Sequence, residues 1–116
     1  MNTNDKELLL KDLSTRLHYN VICYNTSLGC NTTLSCSLLE QIMANGNIYI
    51  KPFLRPLSSM TEKEVDELLN IRRKGRMKFS DMISECVEFY CSKHLDYNHL
   101  IEKGLALEAP DEMYNF

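Results

Sequence analysis

No tryptophan occurs in this chain of 116 residues, and no run of about 18 apolar residues that a membrane-spanning helix would need. The opening MNTNDKELLLKDLSTRL has no cationic start followed by an apolar stretch of secretory length, LLL being far too short, so an intracellular location is expected. The five cysteines (Cys23, Cys30, Cys36, Cys86, Cys91) include no C-x-x-C pair. An odd number without an export signal reads as reduced thiols. A basic excess is also missing. The formal net charge is −3, which argues against a dedicated nucleic-acid binder. No internal repeat or low-complexity tract is visible, and 44% apolar with 25% charged residues is the composition of an ordinary folded domain.

What is present describes one α+β domain over residues 1–116, loosest at 1–4 and 108–116, with a small strand-rich N-terminal half packed against two to three C-terminal helices. Residues 5–17 carry Leu8, Leu9, Asp12, Leu13 and Leu17 at helical spacing. HYNVICY alternates as a strand does, with Val21 and Cys23 on one face. NTSLGCNTT is a polar loop, and a second strand is expected to begin at TLSCSLL. Asn45-Gly46 is a strong turn signal, and strands on either side of ANGN would make a hairpin.

KPFLRPLSSMTEKE, residues 51–64, is locally the most explicit stretch. Pro52 and Pro56 bar it from a central strand and place it at a sheet edge or on the surface. Thr61 and Glu64 form a T-x-x-E capping box, with Met60 and Val65 at the positions of a hydrophobic staple. Val65, Leu68 and Leu69 form the expected buried face of that helix. A second helix is expected at 80–94 with Ser80 as its N-cap, and a third, short one at 96–104, begun by Asp96 and ended by Gly104.

Three blocks, DLSTRLHYNV (12–21), KPFLRPLSSMTEKE (51–64) and DYNHLIEKGLALEAPDEMY (96–114), resemble a group of small uncharacterised proteins common in phages and mobile elements of anaerobic gut bacteria. The chain departs from that group at His18 and Asn20, where the group tends to have proline and glycine. The resemblance implies a context, the cytoplasm of a bacterial host, and brings no catalytic residues with it.

Three kinds of chemistry can be weighed. Cys91, His94 and His99 have ligand-type side chains in a C-x2-H-x4-H spacing, but helical placement of Cys86 and Cys91 favours packing, and no metal or other cofactor is expected. No glycine-flanked nucleophile or oxyanion-type signature orders the cysteines and histidines, so no enzyme is expected. The basic run RRKGRMK offers Arg72, Arg73, Lys74, Arg76 and Lys78 as a phosphate-binding cluster, though without Walker-type glycines or interleaved aromatics. Two functional expectations follow. The first is a non-catalytic accessory protein that binds a host protein, counter-defence being one such role. The alternative is a homo-oligomer that sequesters a small anionic ligand or nucleotide through the 72–78 cluster.

Overall fold

The computed structural model describes residues 3–44, 49–73 and 78–114. The chain opens with a helix, α1 (Thr3–Thr15), followed by a hairpin of β1 (Ile22–Asn25) and β2 (Cys30–Thr33) and a second helix, α2 (Cys36–Ala44). Strand β3 (Ile50–Leu54) then leads through a 3-10 turn at Leu57–Ser59 into α3 (Glu62–Arg72) and α4 (Phe79–Ser92). A two-residue strand, β4 (Leu107–Glu108), closes the sheet, whose order is β2-β1-β3-β4 with β4 parallel to β3. The architecture is α+β, but a strand-rich front half followed by helices is wrong. Among the described residues, two of the four helices lie before β3, and the strands occupy the middle and the C-terminal part.

The hairpin is elsewhere than ANGN. Residues 45–48 lie outside the described residues, and SLLEQIMA is helical. Ser35 caps that helix through its hydroxyl, which accepts from Leu38 N at 3.2 Å, and Leu38 and Ile42, four residues apart, bury one face. Lys6 donates to the Met43 carbonyl at 2.7 Å, a cation on the open end of α2. The observed turn is NTSLG. The Asn25 side chain accepts from Ser27 N and Leu28 N at 2.9 and 3.0 Å, and Gly29 takes φ +70° to re-enter the ladder at Cys30.

Pro52 sits in an interior strand, contrary to the sheet-edge expectation, and the register explains how. Thr26 N donates to Tyr49 O, so hydrogen-bonded pairs between β1 and β3 alternate through Tyr24 and Lys51. That leaves Pro52 opposite Cys23 at a non-bonded position. On its other side β4 begins only at Phe53. The missing N–H of the proline therefore falls where no acceptor waits.

The core joins Leu9 and Leu13 of α1, Val21 and Cys23 at β1, Leu34, Leu38 and Ile42 at α2, Ile50 and Leu54 of β3, and Leu100, Leu105 and Ala106 near the C-terminus. Asp12, in the buried stripe of α1, and Arg16, in the turn just past its end, both have no solvent exposure. Arg16 grips Asp12 with two bonds, Nε to Oδ1 at 2.6 Å and Nη2 to Oδ2 at 3.2 Å. Nη2 also donates to the Leu95 carbonyl at 2.7 Å, and the guanidinium lies 5.0 Å over the Tyr97 ring. Asn98 donates to Asp12 Oδ2 at 2.7 Å.

No described residue of α3 or α4 belongs to that core. The expected apolar face of α3 is also wrong. Val65 is 40% exposed and Leu69 36%, while the buried member is Glu64. Helix α4 starts at Phe79 with Lys78 as an N-cap that makes no side-chain bond, so Ser80 is not the cap, and Ile83 is 46% exposed. Residues 96–104 form turns instead of a helix. Asp96 and Gly104 therefore cap no helix, though both shape the turns that replace it. The Asp96 carboxylate accepts from Leu100 N and Ile101 N at 2.8 and 3.0 Å, and Gly104 has φ +75°.

Removing one member of a buried ion pair strands the other. Arg16→Met is expected to cost about 3–5 kcal/mol, and the double variant Asp12→Leu/Arg16→Met clearly less, read from urea melts of both proteins. Equal losses in the two would mean that the pair is not what holds this region.

Candidate functional site

A groove of about 570 Å³ opens between the 55–64 segment, the end of α4 and the strand-to-tail segment 108–114. Its floor is an ion pair. Arg55, between two prolines, donates from Nη1 to Glu64 Oε2 and from Nη2 to Glu64 Oε1, both at 2.8 Å. The same two nitrogens also donate to the carbonyls of Lys93 (3.2 Å) and Ser59 (3.1 Å). Glu64 is at once the N3 residue of the predicted capping box. Its Oε1 accepts from Thr61 N at 3.0 Å, while Glu64 N donates to Thr61 Oγ1 at 3.2 Å. The cap that starts α3 is thus welded to β3.

Behind the groove the chain is crossed by a second device. Tyr114 Oη accepts from Ile22 N at 2.9 Å and donates to Phe53 O at 2.8 Å. These are the two groups that would bond each other if the β1–β3 ladder continued, so the hydroxyl stands in for one rung. The Tyr114 ring stacks on His94 at 3.7 Å between centroids, and His94 takes φ +57°, a conformation that disfavours most side chains. The backbone on both sides of that turn is fixed to β3, Arg55 N donating to His94 O at 2.7 Å and Asp96 N to Arg55 O at 2.8 Å.

These contacts set the charges. Hydrogen bonding from Arg55 draws the Glu64 carboxyl down to about 2 against the opposing effect of burial, so it is ionised throughout the neutral range. Burial, helped by the positive charges of Arg16 and Arg55, lowers His94 to about 4, leaving it neutral at pH 7. Burial raises Tyr114 to about 12. The solvent-facing rim carries Lys63 and Lys93 against Glu67, Glu108, Asp111 and Glu112, two positives to four negatives, or −2.

The residues singled out in the sequence are dispersed. Arg72 ends α3 and Arg73 caps it, both exposed, where cations suit the negative end of a helix; Lys78 is exposed at the start of α4. Lys74 and Arg76 lie outside the described residues, and the groove lining includes none of the three that are described. Cys91 is buried with its sulfur 3.5 Å from Thr15 Oγ1, His94 lies under Tyr114, and His99 is exposed beside Glu102 at 4.0 Å. No group of three metal-ligand side chains comes together among the described residues. The residues that organise the region, Asp12, Arg16, Arg55, His94 and Tyr114, were not predicted as a set. Only the i, i+4 spacing in DLSTR signalled any of it.

Compared with known proteins, the chain matches no family model, no curated protein and no solved structure. Among the described residues, no helix is long and apolar enough to cross a membrane.

Two measurements check this frame. Tyr114→Phe leaves a half-buried N–H and C=O without their bridge and is expected to cost about 1 kcal/mol in a denaturant melt. Acid should act in two stages. The folded-state value of His94 is depressed from 6.5, so its contribution is complete above pH 6.5 and lost as pH falls toward 4. That of Glu64 is complete above pH 4.5 and lost toward pH 2. His94→Asn, compatible with the positive φ, should flatten stability between pH 6.5 and 4 and leave the lower stage in place; an unchanged profile would refute the assignment.

Proposed function

We propose that this is a non-catalytic accessory protein of the phage or mobile-element type that binds a host protein in a bacterial cytoplasm. The observation that carries the reading is the apolar surface at the start of α4, where Phe79 is 72% and Ile83 46% exposed, one helical turn apart. Large apolar side chains held out of a core cost solvation, and aromatic residues supply much of the energy of protein interfaces. The polar groups near the groove support the same reading from the other direction. Arg55 and Glu64 satisfy each other and the backbone, and His94 and Tyr114 titrate far from neutrality, which suits a frame better than a proton-transfer site.

The alternative, anion sequestration by the 72–78 cluster, draws support only from the exposure of Arg72, Arg73 and Lys78. A capture experiment separates the two. Tagged protein is incubated with lysate of the bacterial host, and the retained proteins are compared between wild type and Phe79→Glu/Ile83→Glu. The expected result is loss of a specific retained protein in the double variant with its melting temperature unchanged. Retention equal to wild type removes α4 from the contact. Native mass spectrometry showing a bound nucleotide, lost in Arg72→Glu/Arg73→Glu/Arg76→Glu, would favour sequestration instead.

A further inference from the structure

The outward face of α3 reads Glu62, Val65, Leu69, Arg72, a 3-4-3 spacing that lines up along one side of a helix. All four are exposed, as are Asp66 and Arg73 beside them, whereas Glu64, Leu68 and Ile71 on the other side are buried or half-buried. The stripe is therefore acidic at its N-terminal end, apolar in the middle and basic at its C-terminal end. Such an order is self-complementary in one direction only. Laid antiparallel about a two-fold axis at the level of Glu67, a second copy sets its Leu69 on Val65 and its Arg72 opposite Glu62. A parallel arrangement would put each charge against its like.

We infer that α3 is a self-association surface through which two copies of this chain pair antiparallel. Three physical terms act together: two Val–Leu contacts near the axis, opposite charges at both ends, and opposed helix dipoles. A two-fold contact is closed, so it yields a dimer instead of a filament. The size of the seam limits its strength. An 11-residue helix is about 16 Å long, too short to bury the roughly 1,200–2,000 Å² of a stable interface, so the dimer is a reversible and salt-sensitive one. This goes beyond the proposed function. The groups assigned to host binding, Phe79 and Ile83, lie on α4 and are not needed for the α3 seam.

The test is sedimentation velocity over a wide concentration range at low salt. Wild type is expected to shift reversibly from monomer to dimer. Glu62→Arg/Asp66→Arg and Arg72→Glu/Arg73→Glu should each remain monomeric, because each brings like charges face to face, and an equimolar mixture of the two should recover the dimer. That recovery also shows both variants to be folded. Val65→Ser/Leu69→Ser, which leaves every charge in place, should weaken association about tenfold or more. A monomer at every concentration overturns the inference. So does a dimer that survives both charge reversals, or a mixture that stays monomeric.

Discussion

A guanidinium with no exposure to solvent makes demands that the rest of this fold is arranged to meet. Stripping Arg16 of water is costly, and the cost is tolerable only where acceptors and an opposite charge replace the lost hydration. Asp12, one turn earlier on α1, supplies the charge, and the Leu95 carbonyl supplies an acceptor from far along the chain. Nη1 has no hydrogen-bond partner among the described residues, and the Tyr97 ring beneath the guanidinium offsets part of that deficit. The turn at 93–98 is thereby pinned to α1. Its other side is pinned to β3 by the exchange between Arg55 and the backbone of His94 and Asp96, and Tyr114 lies over it. N-terminus, middle and C-terminus meet at one short turn.

Seen from that turn, the three blocks DLSTRLHYNV, KPFLRPLSSMTEKE and DYNHLIEKGLALEAPDEMY are parts of a single polar frame. The first brings Asp12 and Arg16, the second Arg55 with the Thr61–Glu64 cap, the third Asp96, Asn98 and Tyr114. Apolar contacts alone would permit several arrangements of such small elements, because a hydrophobic surface is indifferent to the direction from which it is covered. Bidentate pairs and single-rung bridges are directional. They account for a sheet that tolerates proline in an interior strand, since β3 is held by side chains and by the 94–96 turn as well as by its ladder.

How much of this the sequence disclosed follows from the range of each interaction. The Thr61–Glu64 box spans three residues and the left-handed Gly104 acts within a single turn, so both were legible, whereas the helix expected between Asp96 and Gly104 is a series of turns. Helix α2 was misread because LLEQIMA suits either state by pattern, and the deciding facts were its Ser35 cap and its packing against α1. The interior position of Pro52 depends on the register against β1 and on where β4 begins, neither of which periodicity can report. Tyr114 was invisible for the same reason: its partners at Ile22 and Phe53 are 92 and 61 residues away. The apolar residues of α3 and α4 misled in another manner. Helical spacing shows that they share a face, but not whether that face turns toward a core.

That last distinction is the one with functional weight. The α3–α4 pair is fastened to the frame through Glu64 and Arg55 and, near the end of α4, through the buried Phe89 and Cys91, the latter against Thr15, while no described residue of α3 or α4 belongs to the main core cluster. Its outward side chains are thus released from the packing constraints that fix Leu9, Leu13 or Leu54, each fully buried. A surface substitution on these helices changes no core volume, whereas changes at Arg16, Arg55 or Tyr114 disturb several segments together. A frame that carries a helical pair with an outward face outside the core is suited to presenting surfaces, because the exposed residues can be altered without remaking the fold. Phe79 and Ile83 on α4, and the ordered acidic, apolar and basic stripe on α3, lie on the part of the molecule where that freedom exists.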